Sequence, residues 1–201
     1  MKPDLHGVIR PARPEDRNAL SRICLETANA GKDATGLYSD GDYPGLLYVV
    51  PYALFAPDFA FVLTMDDHVV GYVVAAPDTA AFEAQLDNAW WPVLREKYAQ
   101  RAPLAPLDMK VLGQIRETSH ASPELTHTWP AHLHINLLPV AQQGGWGRRM
   151  IAHQLDALRA AGVTGVHLGV SLQNEQVCGF YAKMGFQPIF RRNAIYMGQL
   201  L

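Results

Sequence analysis

Apolar residues along this chain follow two rhythms in turn. Behind Arg13-Pro14-Glu15-Asp16, where proline and acids suit a first helical turn, Ala19, Leu20, Ile23, Cys24 and Ala28 return at helical spacing. Val8-Ile9-Arg10 ahead of them reads as a short strand. Residues 29–46 lose the rhythm: Gly31, Gly36, Gly41 and Gly45 stand among Asp, Ser and Tyr, the composition of a loop. Pro44 to Phe55 predicts a second, shorter helix closed by Pro57. Two nearly continuous β-rich runs follow, Phe59 to Met65 and Val69 to Ala76, joined at Asp66-Asp67-His68. They predict a hairpin whose strands are covered on both faces.

Residues 77–130 read as a distinct, largely helical insertion. Ala80 to Gln100 carries Phe82, Leu86, Trp90, Val93 and Leu94 on one side of a helix that Pro92 kinks or interrupts. The rest of the insertion, rich in Pro and His, predicts irregular structure with short helices. From residue 131 the pattern sharpens. His132 to Leu138 alternates polar and apolar as a strand does, and from Gly145 an amphipathic helix runs on Met150, Ile151, Leu155 and Leu158 to Gly162. Val166 to Val170 is a further strand. Asn174 to Met184 predicts a helix stopped by Gly185, a left-handed cap, and Phe186 to Phe190 with Ala194 to Met197 an antiparallel pair. The order β-α-α-β-β-insertion-β-α-β-α-β-β predicts an α/β (α+β) mixed sheet with helices on its faces, in one domain spanning 1–201.

Composition narrows the function classes. At 49% hydrophobic residues the chain has ample material for a core. Net charge is −2 with 17 basic residues spread along the chain, which argues against nucleic acid as the partner. Cys24 and Cys178 lie far apart without metal-ligand or disulfide spacing, and both are expected as buried free thiols. The eight histidines show no ligand pattern, so no metal is expected. With neither a leader-like start nor a membrane-length apolar run, a soluble cytoplasmic protein with no membrane partner is the expectation.

The chemistry concentrates in Leu137-Leu138-Pro139-Val140-Ala141-Gln142-Gln143-Gly144-Gly145-Trp146-Gly147-Arg148-Arg149. A strand ends, the chain turns, and a helix opens on closely spaced glycines. Backbone amides at a helix start lack intrahelical partners, the helix dipole favours negative charge, and glycines let a bulky anion approach. This is a cradle for a pyrophosphate that needs no net positive charge. Arg148 and Arg149 stand ready to add contacts. Neither GxxxxGK[ST] nor GxGxxG is present; the spacing is Gln142-x-x-Gly145-x-Gly147.

That pattern resembles the cofactor signature of the GNAT acetyltransferases. A second element is similar to the same superfamily: Asn174-Glu175-Gln176-Val177-Cys178-Gly179-Phe180-Tyr181-Ala182-Lys183-Met184-Gly185-Phe186, one strand further on. A closer resemblance spans nearly the whole chain. Ile9-Arg10-Pro11-Ala12-Arg13-Pro14-Glu15-Asp16, Phe61-Val62-Leu63, Gly71-Tyr72 and Trp91-Pro92-Val93-Leu94-Arg95-Glu96-Lys97-Tyr98 resemble the acetyltransferase-like C-terminal domain of O-GlcNAc hydrolase and its stand-alone bacterial relatives. The animal domain has degenerate glycines in the turn, whereas Gln142, Gly145 and Gly147 are kept here.

The resemblance implies a GNAT fold with the insertion between its third and fourth strands, and acetyl-CoA as cosubstrate. It implies cofactor contacts from Leu137, Leu138, Gln142, Gln143, Gly144, Gly145, Trp146, Gly147, Arg148, Asn174, Phe180, Tyr181 and Lys183. In the family the strand bearing Leu137 and Leu138 splays from its neighbour, so that one of their amides polarises the thioester carbonyl, and Tyr181 takes the place of the acid that protonates the leaving thiolate. His132, His134 and Asn136 alternate on one strand face, which makes His134 the candidate base and Asn136 an orienting group. Trp90, Trp91 and Tyr98 either wall an acceptor pocket or form a satellite core under the insertion. Glu26, Asp40, Asp42 and Tyr43 lie where the family often places acceptor contacts. The expected activity is acetyl transfer to an amine acceptor. Its alternatives are a non-catalytic acyl-CoA-binding domain and an interaction domain whose insertion forms a homodimer or partner surface.

Overall fold

The computed structural model describes residues 6–201. Seven strands form one sheet in the order β1-β2-β3-β4-β5-β7-β6. They are β1 (Gly7–Pro11), β2 (Ala60–Met65), β3 (His68–Ala76), β4 (Ala131–Leu137), β5 (Gly165–Val170), β6 (Gln187–Arg191) and β7 (Ile195–Leu200). Every neighbouring pair is antiparallel except β4 and β5. Between β2 and β3 the turn rests on Asp66 and Asp67, with φ of 47° and 62°. Two left-handed residues give a tight hairpin the twist its strands need, and aspartate tolerates that region better than most residues. In the β3–β4 register Gly71 lies opposite Leu137, and a Cβ on Gly71 would come within 2.2 Å of the Leu137 side chain. The bare backbone there is what lets Leu137 lie flat on the sheet.

Helices α1 (Arg17–Thr27), α2 (Tyr43–Tyr48) and α3 (Val50–Phe55) precede the hairpin. The single helix expected over Pro44 to Phe55 is two, broken at Val49, whose φ is −143°. Pro51 has no amide to give to the preceding turn, so the chain restarts there. Between β3 and β4, residues 77–130 hold α4 (Thr79–Ala89), α5 (Trp91–Lys97), α6 (Asp108–Arg116) and α7 (Pro123–Thr128). The insertion breaks at Trp90, and Pro92 stands in the first turn of the next helix. Helix α8 (Trp146–Ala160) follows β4. The helix expected from Asn174 is shorter than its pattern: residues 172–177 form a tighter turn with Asn174 outside helical dihedrals, and α9 covers only Cys178–Ala182.

Helices cover both faces of the sheet. On one, Leu20 and Ile23 of α1, Leu46 of α2 and Phe82, Trp90, Leu112 and Ile115 of the insertion join Val62, Tyr72 and Val74 in one buried cluster. On the other, Met150, Ile151, Leu155 and Leu158 of α8 are buried against the central strands and against β5 and β7. Each such side chain stabilises the fold by about 1.5–3 kcal/mol. The insertion is also fastened by a polar clamp. The fully buried Asp108 carboxylate accepts from the Ser39 amide at 2.9 Å and hydroxyl at 2.5 Å, and from the amides of Leu104 and Ala105 at 2.8 and 3.0 Å. One carboxylate thereby ties the loop after α1 to α6. Cys24 is buried as expected, whereas Cys178 keeps part of its surface exposed.

Candidate active site

Strands β4 and β5 pair at two positions only, Ala131 with Val166 and His132 with His167. Beyond His132 they part, although β4 continues to Leu137 and β5 to Val170. The other edge of β4 stays paired with β3 throughout. The Leu138 amide donates to the Val70 carbonyl at 2.9 Å. Antiparallel alternation therefore turns the amides of Leu133, Ile135 and Leu137 away from β3; Leu133's closes the short ladder with β5, and those of Ile135 and Leu137 face the gap. Of the two amides expected to polarise a carbonyl, Leu138's is engaged in the sheet and Leu137's faces the gap. The Leu137 carbonyl is already taken: the side chain of Gln142 reaches back and donates to it at 3.0 Å. Gln142 thus shapes the turn, a role its place in the motif did not reveal.

The turn opens at the wide end of this gap. Gly144 and Gly145 both hold left-handed dihedrals, φ of 82° and 78°. Nothing lies within 4 Å of where a Cβ on Gly145 would stand. The helical ladder of α8 begins with the Arg149 amide on the Gly145 carbonyl, so the amides just before it lie at the helix start, where the ladder gives them no partner. An open, amide-lined, glycine-built concavity at the start of a fifteen-residue helix fits a diphosphate. Gly147 has a packing reason as well, since a Cβ there would touch Phe180 at 3.3 Å and Leu137 at 3.4 Å. The Trp146 ring reaches from beside Gly144, where a Cβ would touch its pyrrole edge at 3.6 Å, to Gly7 of β1, and the Arg149 guanidinium lies 4.6 Å from its centre. Arg148 is exposed at the mouth.

Across the gap, Phe180 and Tyr181 of α9 pack edge to face at 5.3 Å, and Tyr181 also meets Phe186 at 5.9 Å. Burial pushes the Tyr181 phenol up to about 12, so it stays protonated, and its hydroxyl makes no hydrogen bond among the described residues. Asn174 lies near Gly31 of the loop after α1, and its side chain accepts from Gln176 at 3.3 Å. Lys183 is exposed at the end of α9.

The polar face of β4 carries two different histidine environments. His132 is fully satisfied: Tyr52 Oη lies 2.7 Å from Nε2 and Thr79 Oγ1 2.8 Å from Nδ1. Thr79 gives its own proton to the Pro130 carbonyl at 2.7 Å, so Nδ1 must donate to Thr79 and Nε2 accept from Tyr52. The ring is neutral, and burial holds it down to about 3. His134 lies between Tyr48 and Tyr72, each 5.8 Å from it between ring centres. Its Nε2 is shut from water with no partner, and burial lowers it to about 4. Asn136 donates to Thr27 Oγ1 at 2.6 Å, which anchors it to the end of α1.

The remaining candidates take structural places. Trp90 is buried and donates its indole N–H to the Leu46 carbonyl at 3.0 Å. Trp91 is buried too, and contributes to a cavity of about 120 Å³ with Tyr52, Phe82, Glu83, His120 and His132. Tyr98 packs edge to face on Tyr43 at 5.3 Å. Trp90, Trp91 and Tyr98 all belong to the buried cluster on this face of the sheet, and Trp91 also lines the cavity. Asp42 is exposed at the start of α2, and Glu26 pairs with Arg22 at 3.3 Å. Sequence reasoning missed Tyr48, Tyr52, Tyr72 and Thr79 as neighbours of the histidines. Tyr72 could have been found, because a hairpin strand paired with β4 must set a polar side chain opposite Asn136. Among the described residues no cluster of His, Cys, Asp and Glu could hold a metal ion, and no helix is long and apolar enough to cross a membrane.

The sequence profile of the acetyltransferase (GNAT) family matches residues 79–186. The crystal structure of SsHAT superposes with a TM-score of 0.89 at 34% identity, covering 96% of this chain and 98% of that one. Protein O-GlcNAcase of Rattus norvegicus is 25% identical over 203 residues, 96% of this chain and 22% of the relative. The chain therefore spans about a fifth of the length of the curated relatives it matches. A GNAT family acetyltransferase from Brucella melitensis in complex with acetyl-CoA shares the fold, with a TM-score of 0.52 at 19% identity over 98% of this chain and 88% of that one.

Proposed function

Because the chain belongs to the GNAT acetyltransferase family, we propose that it moves an acetyl group from acetyl-CoA to an amine acceptor. The observation that carries this reading is the gap between β4 and β5, which leads from free strand amides to the glycine turn. Acetyl-CoA supplies an acetyl group activated as a thioester. The amides of Gly144 to Arg148 would hold its diphosphate, with Arg148 at the rim. That of Ile135 would hold the arm, and Phe180 and Tyr181 would flank it. Leu137's amide, which faces the gap, would stabilise negative charge on a carbonyl oxygen there, since a fixed donor needs no reorganisation. Tyr181, held protonated, has the proton a leaving thiolate needs. His134 is held neutral, so its free ring nitrogen supports a role in taking the proton from the acceptor.

Calorimetric titration with acetyl-CoA tests the reading. Gly145→Trp fills the turn, and Gly162→Trp serves as its control. Both glycines have positive φ, 78° and 75°, and open space around a Cβ, so the backbone strain is matched. Micromolar binding by the wild type and Gly162→Trp, lost in Gly145→Trp, is expected. Equal binding by both variants, or no binding by the wild type near millimolar acetyl-CoA, refutes it.

A further inference from the structure

The cavity under the insertion lies apart from the gap between β4 and β5. It meets β4 at His132, where the two strands still pair, roughly 17 Å along the strand from Leu137. Its volume is about 120 Å³, a little below the roughly 150 Å³ of an engineered cavity that takes benzene. A head group of that size fills it, and a longer ligand leaves its tail outside. Ser119 and His120, in the loop between α6 and α7, line the cavity and are exposed, so it reaches the surface there.

The lining divides by chemistry. Tyr52 of α3, Phe82 of α4 and Trp91 of α5 bring aromatic rings, and the first two are already stacked, 4.7 Å apart at 28°. Glu83 of α4 brings a charge, and it is close enough to Tyr52 to act on its phenol. Among the described residues the Glu83 carboxylate accepts from the Ala121 amide, at 3.0 and 3.2 Å, and has no ion-pair partner. The charged groups around it leave it uncompensated. His120 acts on it, but its Nε2 lies 2.8 Å from Asp87, whose own charge opposes ionisation of Glu83. Arg95 directs its guanidinium to the Ile115 carbonyl at 2.9 Å and the Thr118 hydroxyl at 2.7 Å. His132 is neutral, with both ring nitrogens engaged. Burial raises the Glu83 carboxyl, so its charge has lost water without gaining a cation.

We propose that this cavity binds a trimethylammonium head group, with Glu83 as its countercharge and Tyr52, Phe82 and Trp91 as its aromatic walls. A partly desolvated carboxylate without a partner favours a cationic guest. Aromatic rings attract cations and are the surroundings in which quaternary ammonium groups are recognised. A primary ammonium carries three N–H donors that need acceptors on several sides, and Phe82, Trp91, Leu47 and Leu86 have none to give. Methyl groups need none, and they spread the charge over an apolar surface. A free solute such as choline and the trimethylated side chain of a lysine present the same head group.

Choline and 3,3-dimethylbutan-1-ol share a shape and differ in charge. Calorimetry of each against the wild type and Glu83→Gln, without acetyl-CoA, reads the site. Glutamine keeps an oxygen for the Ala121 amide and removes the charge. Choline is expected to bind at least about tenfold more tightly than the alcohol, and Glu83→Gln to remove most of that advantage. A trimethyllysine amide separates the two sources: binding tighter than choline's assigns the site to a protein side chain, and weaker binding to a free solute. Acetyl-CoA titration decides the acetyl-transfer reading separately, whatever choline does. Equal or tighter binding of the alcohol, no choline binding at about 10 mM, or an undiminished advantage in Glu83→Gln overturns the proposal.

Discussion

Acidification from about pH 7 to about pH 5 is expected to cost this fold up to about 4 kcal/mol through two buried histidines. His132 and His134 are held down to about 3 and about 4 by burial, against an ordinary value of 6.5. The unfolded chain therefore takes up a proton at each near 6.5, while the folded chain refuses it until far lower pH. The favourable difference is complete above the unfolded value and is lost as pH falls towards the folded ones. Each pH unit in that window removes about 1.4 kcal/mol per histidine, so 1.5 units below 6.5 removes roughly 2 kcal/mol from each. His167, lowered by burial, adds in the same direction, and Glu83, raised by burial, opposes it. The depressed carboxyls of Asp16 and Asp108 lose their contribution only at lower pH, which leaves this window to the histidines. The assay is the urea midpoint at both pH values for the wild type and His134→Phe, whose ring keeps the stack between Tyr48 and Tyr72 but has no proton to gain. The wild-type midpoint should fall sharply, and the variant should lose about half as much. A midpoint that does not move between the two pH values, or an equal fall in both proteins, would refute the account.

Further outcomes follow from the same geometry. Tyr181→Phe removes a hydroxyl that bonds to nothing and keeps the packing on Phe180 and Phe186, so stability should change by less than about 0.5 kcal/mol while kcat falls by about a hundredfold or more. A turnover within twofold of wild type would remove Tyr181 from the acid's role. Asp108→Ala leaves the Ser39, Leu104 and Ala105 donors without their acceptor and should cost about 2–4 kcal/mol in urea unfolding. An unchanged midpoint would show that the clamp between the loop and α6 is dispensable.

The order of elements and the turn were legible because both are local. Alternation in His132 to Leu138 and the closely spaced glycines depend on neighbours a few residues away. The shortened α9 was not legible: Asn174 leaves helical dihedrals, as asparagine does when its side chain competes with the backbone, although the apolar spacing runs through it. The setting of the histidines was out of reach for a different reason. His132 meets Tyr52 and Thr79 from 80 and 53 residues away, and Asp108 meets Ser39 from 69 residues away. No periodicity records such pairings. The same holds for Trp90, whose type suits a pocket wall or a core equally well until its indole finds the Leu46 carbonyl.

The parting of β4 from β5 can also be viewed as the management of a hazard. A strand with unsatisfied amides is where sheets recruit foreign strands, and most folds place such strands at the rim and blunt them. Here the incomplete ladder is in the middle of the sheet, with β3 on one side and β5 on the other. A strand from another protein cannot come alongside in the plane of the sheet, because that place is already bounded by β5. A slender molecule bearing amides along its length, as the proposed cosubstrate's pantetheine arm does, would enter end-on and complete the ladder. Selectivity for a linear guest, and protection from aggregation, would thus arise from a single departure in strand direction.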